Sequence, residues 1–288
     1  MSDQHEPHHD DFGGLQRDLL ATSVAIDRRG MLRLGARFGA AIGALQLVGC
    51  GDSPTAPTAT TTPTTTITTT TTTPTTTPPS SATCSRIPQE TEGPYPADGS
   101  NGPTVLTSTG VVRSDIRSSF AGMSGVAGGV PLNVALTIVS ASTCAPLAGA
   151  AVYLWHCDRE GRYSLYTQGV TNQNYLRGVQ EANANGQVTF QSIYPGCYAG
   201  RWPHIHFEVY PNLAASTNSR NKTATSQLAL PKSSNDAAYA VAGYEQSIRN
   251  AAQITLASDN VFSDGSSLEL ATMAGGVSGF TATLTVAI

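Results

Sequence analysis

Five short runs in this 288-residue chain alternate apolar and polar residues at period two: Leu132–Val139, Ala151–His156, Gln187–Ile193, His204–Val209 and Phe280–Ile288. Side chains two apart on a strand share a face, so each run offers one apolar face to a core and one polar face outward. Gly and Pro punctuate the stretches between them. Helical periodicity is nearly absent. The one candidate helix is short, near Asp236–Arg249, and Gly243 weakens it. The pattern predicts an all-β chain, a β-sandwich with long loops and little helix.

The first part of the chain cannot join that core. Positions 54–79 hold 17 Thr and 6 Pro in 26 residues, too little apolar surface to offset the entropy of ordering them. Residues 50–83 read as an extended tether. Before it, Asp27-Arg28-Arg29-Gly30-Met31-Leu32-Arg33 opens a Gly/Ala/Leu stretch that ends Leu47-Val48-Gly49-Cys50. This resembles a twin-arginine export signal followed by a lipobox. Residues 1–49 are then expected to be a cleaved leader, with Cys50 lipidated as a membrane anchor and the remainder exported. The apolar run is too short, and too interrupted by Arg33 and Arg37, to span a bilayer.

The globular part is expected over 84–288, long enough for one well-buried core. The whole chain carries a formal net charge of −4, and only 12% of its residues are charged, which leaves no electrostatic footprint for nucleic acid. Four cysteines remain after Cys50: Cys84, Cys144, Cys157 and Cys197. An even number in an exported domain suggests two disulfides, with three connectivities open. Cys144 and Cys157 flank a predicted strand that holds them apart, which favours Cys84–Cys144 and Cys157–Cys197.

Only three His lie after the tether: His156, His204 and His206. On a strand, His204 and His206 point to the same face, about 7 Å apart at Cα, and can grip one metal ion. Ile205, Phe207 and Val209 then enter the core behind them. A surface His pair on a solvated strand face is the plainer reading of that tripeptide alone. His156 is read as the end of a strand.

The neighbouring residues carry a resemblance. Gly161-Arg162-Tyr163, then Pro195-Gly196-Cys197-Tyr198, then Arg201-Trp202-Pro203-His204-Ile205-His206-Phe207 stand in order. This series resembles the intradiol ring-cleavage dioxygenases, the family of protocatechuate 3,4-dioxygenase and catechol 1,2-dioxygenase, and looks closest to its exported single-domain branch. The resemblance implies a ferric ion, Fe(3+), held by Tyr163, Tyr198, His204 and His206. It implies Arg201 beside the substrate, Gln227 near it, and Tyr95, in Gly93-Pro94-Tyr95, on the substrate side. The implied reaction opens a catechol-type ring with O2 between its two oxygen-bearing carbons to give a muconate-type diacid. Tyr166 and Tyr194 fall outside the motif and are set aside.

The residue types suit such an ion. Ferric iron is a hard cation that prefers anionic oxygen, and a trivalent ion in a partly dry site deprotonates a phenol that otherwise titrates near pH 10. Two competing readings stand beside this one. The first is a non-catalytic, prealbumin-like exported sandwich that captures a ligand. The second is a cupin-type metal enzyme, which Glu208 fits poorly because it lies only two residues past His206 and no His follows.

Overall fold

The computed structural model describes residues 84–288. The expected leader, the tether and Cys50 lie outside these residues. Eight strands and two helices follow: β1 (Pro131–Val139), β2 (Ala151–Trp155), β3 (Arg177–Glu181), β4 (Gln187–Ile193), β5 (His204–Tyr210), β6 (Ala224–Ala229), α1 (Lys232–Tyr239), α2 (Glu245–Ala251), β7 (Thr272–Gly276) and β8 (Gly279–Ala287). Two four-stranded sheets form, in the orders β4-β1-β8-β7 and β3-β2-β5-β6. The pairing of β1 with β8 is parallel and every other pairing is antiparallel. Among the described residues no helix is long and apolar enough to cross a membrane.

The two sheets pack face to face, as alternation demands. Leu132, Val134, Leu136 and Ile138 of β1 meet Val152 and Leu154 of β2 and Ile205, Phe207 and Val209 of β5 in one cluster. Phe280, Ala282 and Val286 of β8 join it. All five runs read from periodicity are strands, with ends that differ by at most one residue.

Three strands carry no such signal. In β6 all six residues are buried, and a strand covered on both faces has no need to alternate. In β7, Gly275 and Gly276 dilute the pattern. In β3 the first residue is a buried arginine.

The expected single helix is two. Gly243 takes φ +97 between them, a conformation that L side chains rarely adopt. A side chain there would also run into the Arg159 guanidinium.

The cysteines answer the disulfide expectation by half. Cys84 and Cys144 are bonded, tying the start of the domain to the turn after β1. Cys157 and Cys197 are free thiols, which corrects the second pairing. Each is turned onto a backbone carbonyl instead. Cys157 donates to the Gly196 carbonyl at 3.4 Å and Cys197 to the Arg201 carbonyl at 3.4 Å.

The outer face of the β3-β2-β5-β6 sheet is not solvated. A second apolar layer covers it, in which Tyr95, Val105, Leu106, Val111 and Phe120 from the loops pack on Tyr153 and Trp155 of β2. All seven residues of β5 are buried in consequence. The His pair therefore faces a roofed space, and the reading of a solvated surface pair falls.

Candidate metal and catalytic site

Three loops and one strand assemble the site. β5 supplies His204 and His206, both 2% exposed. Tyr163 follows the turn after β2. Tyr198 and Arg201 lie in the segment between β4 and β5. The first two loops are interlocked by their glycines. A Cβ on Gly161 would meet the Tyr198 Cβ at 3.0 Å, and one on Gly196 would meet the Arg159 carbonyl oxygen at 2.5 Å. Both motif glycines thus serve close approach: they let the Tyr163 loop and the Tyr198 loop lie against each other.

Asp158 fixes the first of these turns. Its Oδ1 accepts the N–H groups of Glu160 and Arg162 at 2.9 and 3.0 Å, and its backbone carbonyl accepts the Gly196 N–H at 3.0 Å. Sequence reasoning missed this residue. Its signal is an Asp at the head of a tight turn, where Asx geometry is common.

The four expected ligand residues converge. His204 Nε2 lies 3.1 Å from His206 Nε2 and 3.2 Å from the Tyr198 hydroxyl. The Tyr163 ring packs edge-on to the Tyr198 ring at 5.8 Å and to the His206 ring at 6.2 Å. Trp155 stacks on His206 with centroids 4.9 Å apart and an interplanar angle of 8°, which sets the plane of that imidazole.

The protonation states suit a metal. Burial pushes both histidines well below the usual range; the charge of Arg201 adds to this for His204, and neighbouring His204 adds to it for His206. Both rings are therefore neutral. Neutral His204 donates its Nδ1–H to the Trp202 carbonyl, so its Nε2 carries a lone pair, the tautomer a metal ligand needs. A second ring nitrogen at 3.1 Å and a phenol oxygen at 3.2 Å face that lone pair. The buried His206 Nδ1 has no hydrogen-bond partner among the described residues.

No three His, Cys, Asp or Glu side chains cluster to hold a metal among the described residues. A metal here needs the tyrosines, and two imidazoles with two phenols form the donor set a ferric ion prefers. The residues present fit that ion.

Arg201 is fully buried beside them. Its Nε donates to Asp259 at 2.9 Å and its Nη2 to Gln227 Oε1 at 2.6 Å. Gln227 in turn donates to the Thr91 carbonyl at 2.8 Å, and in register it sits opposite His206. Tyr95 packs at a tilt on Tyr163 with centroids 4.9 Å apart, which puts it in the roof over the site.

The remaining candidates lie apart from the cluster. His156 follows β2 and is held by Ser192 Oγ at 2.6 Å and the Cys157 carbonyl at 2.7 Å. Tyr194 bonds to Ser234 and Asn235 at the helix side. Tyr166 receives the Ala97 N–H. Glu208 is engaged by Tyr210 and, at 2.8 Å, by Lys222, which also lies 3.5 Å from Asp98, and among the described residues it joins no group of three His, Cys, Asp or Glu side chains such as a cupin site requires.

One more buried cation was not foreseen. Arg177 spends its donors on the carbonyls of Tyr95, Pro96 and Ser164 and on the hydroxyls of Tyr153 and Ser164. It thereby ties the Tyr95 segment and the Tyr163 loop to the sheet.

Comparison with known proteins agrees with the motifs. The model of a dioxygenase family matches residues 102–204. An intradiol ring-cleavage dioxygenase from Tetranychus urticae superposes with a TM-score of 0.57 at 26% identity, covering 71% of this chain and 95% of that one. A second dioxygenase structure gives a TM-score of 0.57 at 27% identity, covering 71% of this chain and 94% of that one. No curated protein sequence matches.

Proposed function

We propose that this chain, in sequence and fold a relative of the intradiol ring-cleavage dioxygenases, is a non-haem ferric dioxygenase that opens catechol-type rings with O2. The convergence of His204, His206, Tyr198 and Tyr163 under a roof of loops is the observation that carries the reading. Bound by these four side chains, a ferric ion would supply a hard Lewis-acid centre that makes a catechol ring reactive toward O2.

The protein's own residues do the rest. Tyr163 and Tyr198 give up their phenolic protons on loading, and the two anionic oxygens balance most of the ionic charge. The Trp202 carbonyl holds the tautomer of His204, and the Trp155 ring holds the plane of His206. Arg201 presents a guanidinium where negative charge develops on the ring during attack by O2, in a buried setting where such a group acts strongly. Gln227 braces it from β6. The aromatic roof of Tyr95 and its neighbours excludes water from the opened ring.

Iron-loaded protein should consume one O2 per catechol and yield an acyclic diacid, followed by oxygen electrode and mass spectrometry. A panel of catechols ranks the substrates. Iron-loaded protein that binds catechols without O2 uptake would instead make this a capture module.

The leader and Cys50 support placing this activity outside the cytoplasm on a lipid anchor. The mature domain should fractionate with membranes, and Cys50→Ser should release it. A soluble wild type in that fractionation contradicts the anchor.

A further inference from the structure

We propose that Asp259 is a positioning residue that sets the direction of the Arg201 guanidinium and supplies the counter-charge that keeps it buried. This rests on the reading of Arg201 as the group that meets charge developing on the ring.

Asp259 follows α2, well outside the stretch that matches the dioxygenase family. It is fully buried, as is Arg201. Its Oδ2 accepts Arg201 Nε at 2.9 Å and the Trp202 N–H at 2.6 Å. Its Oδ1 accepts the N–H groups of Val261 at 2.8 Å and Phe262 at 3.3 Å. A carboxylate has about four acceptor sites, and four N–H donors fill them. Asp259 therefore has nothing left with which to touch a substrate, and it acts through what it holds.

Three things are held at once. The guanidinium is fixed at both ends, Nε on Asp259 and Nη2 on Gln227. The backbone of Trp202 is fixed, and the carbonyl of that residue orients His204. The Phe262 ring is placed 6.0 Å from the Arg201 guanidinium carbon and 6.4 Å from the His204 ring. A buried guanidinium without a counter-charge is costly and turns toward whatever acceptor it can reach. With Asp259 in place it keeps one orientation. Arg201 acts on charge present only in the transition state, so loss of its direction lowers kcat while leaving KM nearly unchanged.

The test uses the full iron-loaded chain with Asp259→Asn, Arg201→Gln and the double variant. Asp259→Asn keeps an oxygen for the Val261 and Phe262 N–H groups and removes the charge and the acceptor shared by Arg201 Nε and the Trp202 N–H. The expected result has three parts. Iron per chain and the visible absorption of Asp259→Asn match wild type. Its kcat on catechol falls at least about tenfold with KM changed less than about twofold. Adding Asp259→Asn to Arg201→Gln costs less than about twofold more, since the partner it acts through is gone. Losses that multiply in the double variant overturn the proposal. So does an Asp259→Asn protein that loses iron in step with kcat, or one that fails to fold when Arg201→Gln folds, because either makes Asp259 a folding residue. Wild type that binds iron yet turns over no catechol overturns the functional reading, and this proposal with it. Active wild type matched by an equally active Asp259→Asn overturns the proposal alone.

Discussion

The two sheets of the sandwich are written in similar alternating sequence, yet their outer faces differ. On β4 and β8, Gln187, Thr189, Thr283 and Thr285 are exposed to water. On β5, His204, His206 and Glu208 stand at equivalent alternate positions and are buried. The difference lies in what the chain lays over each sheet. Loops rich in Tyr, Val and Leu cover the second sheet, whereas Thr and Gln on the first sheet satisfy their polar groups with water. A buried polar face demands partners, and around the second sheet Arg177, Asp259, Gln227 and Lys222 supply most of them, while His206 Nδ1 keeps none among the described residues. Polar residues on a half-exposed strand need no explanation; the same residues under a roof imply a site.

This contrast can be tested by substitution and by pH. His156, at the covered end of β2, is pushed down to about 4 by burial. Its folded pKa lies below the unfolded value, so the unfolded chain binds more protons between the two values and stability rises with pH there. Stability is complete above about pH 6.5 and falls as pH drops toward 4, by about 3 kcal/mol from this group. His204 and His206 add to the loss in iron-free protein. Urea unfolding of the iron-free chain across that range should show the slope, and His156→Gln should reduce it; an unchanged slope contradicts the burial argument for His156. On the first sheet, Thr189→Ala and Thr283→Ala should each change stability by less than about 0.5 kcal/mol and leave turnover unaltered. A larger loss by the same unfolding measurement would show that this face has a role of its own.

Much of the fold was legible because it rests on local periodicity. Leu132–Val139 and Phe280–Ile288 alternate cleanly, since one of their faces meets water. The strand Ala224–Ala229 was invisible for the opposite reason: both its faces are covered, so burial erases the alternation that marks a strand. The four proposed ligand residues were legible through motif order. The supporting residues were not. Asp259 lies 58 positions from Arg201, and nothing local in Ser258-Asp259-Asn260 marks it. Arg177 opens a strand, where a charged residue reads as exposed until the roof above it is known. The free thiols Cys157 and Cys197 show the same limit, because an even cysteine count does not reveal where each side chain points.

The central claim is that two tyrosines and two histidines of this chain hold one ferric ion. Its most direct test is the visible absorption spectrum of aerobically iron-loaded protein, with iron measured per chain, for wild type and Tyr198→Phe. The account predicts one iron per chain and an intense tyrosinate-to-iron band, giving a wine-red to brown protein, and a band weakened or shifted in Tyr198→Phe. A colourless, iron-free wild type, or a band untouched by Tyr198→Phe, would contradict it.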